Sequence, residues 1–250
     1  MQVLVDGQAI HYEKVGRGQT VVLVHGWGNS LASFYDLQRS LSRDYEVISL
    51  DLPGFGQSTM SKSTFTLDDY VKTLSDFSSK LNLKVFSYIG HSNGGSILIR
   101  GLAQGKLSAQ KLVLLASAGI RDDHKLKKKV LKVSAKSGKV LTAVLPKRAK
   151  KSIRNRFYNA IGSDMLVVPE MQATYANIIK TDVQADARNL KVKTLLIYGQ
   201  DDHDTPSGDG EKFHQLIDQS ELKILDSAGH FVHHDQPIQV EKIIKGFLNA

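Results

Sequence analysis

One stretch constrains this chain more than any other. Lys84-Val85-Phe86-Ser87-Tyr88-Ile89, rich in β-branched and aromatic residues, runs straight into Gly90-His91-Ser92-Asn93-Gly94-Gly95. Ser96-Ile97-Leu98-Ile99-Arg100-Gly101-Leu102-Ala103 follows with the apolar spacing of a buried helix. Strand, G-x-S-x-G, helix is a demanding arrangement. It places a serine at the apex of a tight turn, in strained backbone, with its hydroxyl lifted clear of the chain. Gly90 and Gly94, two residues to either side, lack the side chains that would keep strand and helix apart. The pentapeptide alone arises by chance in a chain of this composition with probability roughly 0.14. Its flanks, and the segments before and after it, carry the weight.

Those segments alternate between strand and helix. Asp6-Gly7 separates two short extended runs and marks a hairpin. Thr20-Val21-Val22-Leu23-Val24 is a continuous apolar run, as in a strand covered on both faces, and it ends in His25-Gly26-Trp27-Gly28. A helix over 34–41 and a strand over 45–50 lead to the loop Asp51-Leu52-Pro53-Gly54-Phe55-Gly56-Gln57-Ser58, where Asp51 is expected to hold the turn. Thr66 caps a helix running to about Leu81. Further strands are expected over 111–116, 193–198 and 221–225, and a last helix over 237–248 beginning at Pro237. The alternation predicts an α/β fold: a mostly parallel central sheet flanked by helices. From 121 to 180 no convincing strand is found and the spacing is helical. A helical cap (121–180) is therefore expected as an insertion between two parts of one core, 1–120 and 181–250.

Composition narrows the chemistry. The chain has no cysteine, which excludes disulfides, thiolate nucleophiles and cysteine-ligated metals. The net charge of +8 is uneven. Residues 121–156 hold 14 Lys and Arg against two Asp, while the remainder holds 19 basic and 23 acidic residues. The excess belongs to the expected insertion, which argues against a nucleic-acid-binding protein. It reads first as a solvated outer face of amphipathic helices. Two other readings are attraction of an anionic substrate or acidic carrier protein, and weak contact with an anionic membrane surface. The first residues lack the basic and apolar regions of a signal peptide and no run is long enough to span a bilayer, so a cytoplasmic protein is the default expectation.

A serine nucleophile needs a base, and the base needs an orienting group. The strand over 193–198 leads into Gly199-Gln200-Asp201-Asp202-His203-Asp204-Thr205-Pro206, and the next strand into Asp226-Ser227-Ala228-Gly229-His230-Phe231. Both ends fall on the carboxyl edge of the sheet, where such folds assemble their sites. With these five segments in this order, the chain resembles the α/β-hydrolase fold family over nearly its full length, in its capped, serine-nucleophile, esterase-like branch. The resemblance implies Ser92 as nucleophile, His230 as general base and later acid, and Asp202 as orienting acid, three residues after Gly199. Asp201 and Asp204 are its rivals. It implies an oxyanion hole from the backbone N–H groups of Trp27 and Asn93. No cofactor and no metal are expected. His203 lies between two aspartates without a second ligand cluster, and His233 and His234 are expected at the surface or just behind the site.

A serine rather than an aspartate at the elbow disfavours dehalogenase and epoxide-hydrolase chemistry. Carboxylic ester hydrolysis is the leading expectation, with thioester, lactone or carbon–carbon bond hydrolysis as alternatives. The His-Gly-Trp-Gly segment is similar to that of pimeloyl-carrier-protein methyl esterases. A slow-turnover ligand sensor on the same fold is the competing class, and turnover is what separates the two.

Overall fold

The computed structural model describes residues 1–121 and 171–250. At its centre is an eight-stranded sheet in the order β1-β2-β4-β3-β5-β6-β7-β8. The strands are β1 (Gln2–Val5), β2 (Gln8–Val15), β3 (Thr20–Val24), β4 (Glu46–Leu50), β5 (Val85–His91), β6 (Lys111–Leu115), β7 (Lys193–Gly199) and β8 (Ser220–Leu225). β1 pairs antiparallel with β2 and β2 antiparallel with β4, and from β4 to β8 every pairing is parallel. The expected hairpin is present. Asp6 and Gly7 both take positive φ, 49° and 76°, the pair of left-handed residues that a tight two-residue turn requires.

Helices cover both faces, so the middle strands are buried throughout and read as continuous apolar runs rather than alternating ones. Alternate residues of one strand serve different layers. Val22, Val24, Leu112, Leu114 and Leu196 join one core with α2 (Leu67–Lys80), α3 (Asn93–Ala103), α5 (Gln184–Arg188) and α6 (Ser207–Leu216). Val21, Leu23, Val113, Leu115 and Leu195 join the other, with α1 (Tyr35–Leu41) and α7 (Pro237–Asn249). Thr66 caps α2 as expected, and the cap is a full capping box: its hydroxyl accepts from the Asp69 N–H, while the Asp69 carboxylate accepts from the Thr66 N–H.

The last helix is anchored to the sheet by a buried cation. Lys111, 8% exposed at the start of β6, donates from Nζ to the carbonyl oxygens of Phe247 and Leu248, each at 2.8 Å. These are orphan carbonyls of a helix C-terminus, where positive charge also meets the favourable end of the helix dipole. Burial lowers the Lys111 pKa from its ordinary value. Substituting Lys111→Met would leave both carbonyls buried and unpaired. A loss of about 2–3 kcal/mol is expected in urea unfolding, with the slope unchanged.

β6 and β7 are adjacent in the sheet, and residues 122–170 separate them in sequence. Most of the expected helical cap therefore lies outside the described residues, as does most of the basic segment. Its two ends are described and they clasp each other. The Arg121 N–H donates to Asp182 Oδ2 at 2.9 Å and its guanidinium to the carbonyl of Thr181 at 3.1 Å, just beyond α4 (Gln172–Ile178). Arg100, on α3, reaches the same strap through the Asp182 carbonyl and the Asp186 carboxylate. Among the described residues no helix is long and apolar enough to cross a membrane.

Candidate active site

The join of β5 and α3 is strained in the expected way. Ser92 has φ 50° and ψ −118°, a conformation that costs a non-glycine residue on the order of 1–3 kcal/mol. Three backbone hydrogen bonds hold it there. The Ser92 N–H donates to Leu115 O, and its own carbonyl accepts from Gly95 and Ala118, each at 3.0 Å. Two glycines make the crossing fit. A Cβ on Gly94 would run into the backbone carbonyls of Val24 and His25, at the end of β3. A Cβ on Gly26 would stand 3.0 Å from Ser92 Cβ and 2.9 Å from His91 Nδ1. The turn after β3 thus passes in contact with the serine, which brings the backbone of Trp27 beside it. Asn93 opens α3, where the first amides have no intrahelical acceptor.

Two buried groups fix that turn. His25 donates from Nδ1 to the Gly26 carbonyl at 2.7 Å and accepts the Leu52 N–H on Nε2 at 2.9 Å. Burial lowers its pKa to about 4, so the ring is neutral. Asp51 is structural, as expected. Its carboxylate takes the N–H groups of Leu31 and Gln57 and the Nδ1 of His11, joining β2, the loop after β3 and the Pro-Gly loop. Above this, Trp27 packs edge-on to Phe55 at 5.0 Å and tilted against Tyr175 of α4 at 5.1 Å.

His230 and Asp202 meet at the same sheet edge. His230 Nδ1 lies 2.8 Å from Asp202 Oδ2, and Asp202 is 4% exposed. The other carboxylate oxygen accepts the N–H groups of Asp204 and Thr205, at 2.8 and 3.0 Å. The Thr205 hydroxyl completes the clamp, 2.8 Å from Asp202 Oδ2, 3.1 Å from His230 Nδ1 and 2.9 Å from the Ala116 carbonyl oxygen. Burial pushes the Asp202 carboxyl up, but the hydrogen bond and charge of His230 outweigh it with the help of Thr205, and the carboxyl sits below its ordinary value. An ionised Asp202 accepts a hydrogen bond from Nδ1–H, which leaves Nε2 of His230 as the basic nitrogen. Of the three rival aspartates only Asp202 is buried and bonded to the histidine; Asp201 and Asp204 are exposed.

His203 is exposed as well. Among the described residues one trio, Asp202, Asp204 and His230, brings its oxygen and nitrogen atoms within 4.8 Å of one another. Asp202 is already occupied by Thr205, the Asp204 amide and His230, so the donor set is a poor match to a cation. His233 is buried and His234 exposed, both with Nε2 on the Ser33 carbonyl, at 3.1 and 2.7 Å. An open recess of about 540 Å³, lined by Asn29, Ser30, Ser33, Phe231 and His234 among others, adjoins the site between these loops. Thr205 and His91 are the site residues that sequence reasoning missed. A threonine three residues after an aspartate is a turn-forming pattern and was the available signal for the first.

Known proteins resemble this chain over most of its length. The family model described as alpha/beta hydrolase fold matches residues 19–237. The hydrolase YugF of Bacillus subtilis is 28% identical across 98% of this chain and 96% of its own length. The 2-hydroxy-6-oxo-2,4-heptadienoate hydrolase of Pseudomonas putida is 26% identical across 99% and 95%. In three dimensions the chain is similar to the enol-lactonase from Burkholderia xenovorans LB400, with a TM-score of 0.78 at 20% identity over the whole of both chains.

Proposed function

Because the chain belongs to the alpha/beta hydrolase fold family, and is thereby a hydrolase of that superfamily, we propose that it is a serine hydrolase that cleaves carboxylic esters of small or medium acyl groups through an acyl-enzyme. One observation carries the reading: a serine held at φ 50° at the strand–helix join, on the same sheet edge as a histidine whose Nδ1 is bonded to a buried carboxylate. In this reading Nε2 of His230 takes the proton from Ser92 Oγ as the oxygen attacks the ester carbonyl. The tetrahedral oxyanion is met by the backbone N–H groups of Trp27 and Asn93, each worth on the order of 3 kcal/mol of transition-state stabilisation. The imidazolium, stabilised by Asp202, returns its proton to the departing alkoxide, and the acyl group stays on Ser92. Water then enters and attacks the acyl carbonyl as His230 takes its proton, and the second tetrahedral intermediate collapses to the acid as His230 returns that proton to Ser92 Oγ.

A second reading, hydrolysis of a carbon–carbon bond next to a ketone, is favoured by the full-length relative that acts on a 2-hydroxy-6-oxo dienoate. The two are separated by steady-state rates on a chain-length series of p-nitrophenyl esters beside a vinylogous diketone acid. An advantage of tenfold or more in kcat/KM for one class assigns it. Absence of turnover on both, with the protein folded, would move the reading to a ligand sensor.

The carboxylate is testable in the same assay. Asp202→Asn is expected to lower kcat by about 10³–10⁴-fold, because an amide can hold the wrong tautomer of His230 and cannot stabilise the imidazolium. Asp201→Asn and Asp204→Asn are expected to stay within a few-fold of wild type. An equal loss in Asp204→Asn would place the orienting acid elsewhere.

A further inference from the structure

His91, the residue before the nucleophile, is engaged with His230 rather than with the space around Ser92. It ends β5, is fully buried, and its Nε2 lies 2.9 Å from the backbone carbonyl oxygen of His230. A carbonyl only accepts, so Nε2 carries the proton and Nδ1 is bare. That Nδ1 is buried with no hydrogen-bond partner among the described residues. The ring also packs on the site from the side. Its centroid is 4.7 Å from the ring of His230, 4.9 Å from Phe231 and 5.2 Å from His233.

We propose that His91 is a positioning residue for His230: it ties the loop bearing the base to the strand bearing the nucleophile, through one N–H donor and one ring face. The proposal rests on the serine-hydrolase reading for its kinetic consequence but not for its geometry. A loop alone holds a catalytic group loosely; a strand end is the stiffer support. Here one strand end serves both reacting groups, since Ser92 follows His91 directly. The donor is also constant with pH. Burial, then the neighbouring His233 and His230 rings, which disfavour a further positive charge beside them, keep the His91 pKa well below its ordinary value, and exposed His234 adds to this. Among the described residues no carboxylate bonds to His91; Asp202 is spent on the far side of His230. A second proton would have to sit on the unpartnered Nδ1, so through the neutral range the tether neither gains nor loses its hydrogen bond.

Packing alone would also bury a histidine here, and two substitutions separate the roles. His91→Gln carries an amide N–H at a reach similar to Nε2, whereas His91→Leu fills the space without a donor. His91→Leu is expected to lose ten- to a hundredfold in kcat with KM little changed, a size typical of a small misplacement of a catalytic group. His91→Gln is expected to recover to within about threefold. Proton NMR of the His230 Nδ1–H supplies a readout independent of turnover: sharp and unshifted in wild type and His91→Gln, moved or broadened in His91→Leu. Unchanged kcat and spectrum in a folded His91→Leu protein would overturn the proposal. Equal losses in both variants with equal drops in Tm would reduce His91 to packing and overturn it too. A wild type without turnover that nonetheless shows the spectral difference would refute the hydrolase reading and leave the tether standing.

Discussion

Replacing Ser92 by alanine is expected to lower kcat for the preferred substrate by about 10⁴–10⁶-fold with no loss of fold. Removal of a nucleophile from a Ser-His-Asp constellation forfeits the whole covalent route, and what remains is binding and oxyanion stabilisation. The fold should survive because the Ser92 side chain makes no capping hydrogen bond to α3, and alanine keeps the Cβ around which Gly26 already leaves room. Alanine also keeps the strain, since φ stays positive. Ser92→Gly would release it and is expected to raise Tm while being equally inactive. Activity lost together with a large fall in Tm would instead mark Ser92 as a structural residue. Activity retained in Ser92→Ala would refute the covalent route outright.

Acid is expected to destabilise this protein steeply, through histidines buried as neutral rings. Burial lowers His25 to a pKa of about 4 and His233 to about 3, and it holds His91 well below the ordinary value of 6.5. In the unfolded chain all three titrate near 6.5. Below that pH the unfolded state binds more protons than the native state, so stability is fully present above about pH 6.5 and falls as the pH drops toward the folded values. One such group contributes about 1.4 kcal/mol per pH unit at its steepest, so His25 and His233 together give about 3 kcal/mol per unit near pH 5, and His91 adds in the same direction. Urea midpoints at pH 7.5, 6.0 and 5.0 measure this. His233→Phe keeps the stacking on Phe34, and His234 still donates to the Ser33 carbonyl. That variant is expected to be close to wild type at pH 7.5 and to lose about a third of the slope. A midpoint flat between pH 7.5 and 5.0 would show that these rings are not held neutral.

How much of this was legible in the sequence follows from which interactions are local. The strands over 20–24, 111–115 and 193–199 stood out because both of their faces are buried, so nothing interrupts the apolar run. The helix cap at Thr66 and the hairpin at Asp6-Gly7 are contained within a few residues and are readable for that reason. α3 was expected from Ser96, yet it begins at Asn93. Gly94 and Gly95 are poor helix formers, and tertiary contact overrides propensity there: a Cβ on Gly94 would meet the carbonyls of Val24 and His25, and one on Gly95 the Ser117 side chain. α6 was missed for a related reason: Ser207-Gly208-Asp209-Gly210 reads as loop, but Gly210 fits against the Tyr198 ring and Phe213 is buried beneath the helix. The strand order, with β2 antiparallel against β4, depends on pairings 32 to 38 residues apart that no local pattern encodes.

The site divides along the same line. Ser92, His230 and Asp202 carry recognisable neighbours in sequence, and the choice of Asp202 over Asp201 and Asp204 follows the place the resembling family usually gives this acid, three residues after the glycine that ends the strand, here Gly199. In the structure Asp202 is the one of the three that is buried and bonded to His230. Thr205 reaches Asp202 locally but Ala116 and His230 across the fold, and His91 meets the His230 carbonyl from far away in sequence. The helical cap expected over 121–180 lies mostly outside the described residues, and with it the basic segment.

The most direct measurement is site-resolved labelling with a small fluorophosphonate, read by intact mass and peptide mapping. One phosphonyl adduct per chain is expected, on Ser92, absent from Ser92→Ala and formed far more slowly in Asp202→Asn. A folded wild-type protein that takes no label, or takes it on another residue, would contradict a nucleophilic Ser92 activated by His230 and Asp202.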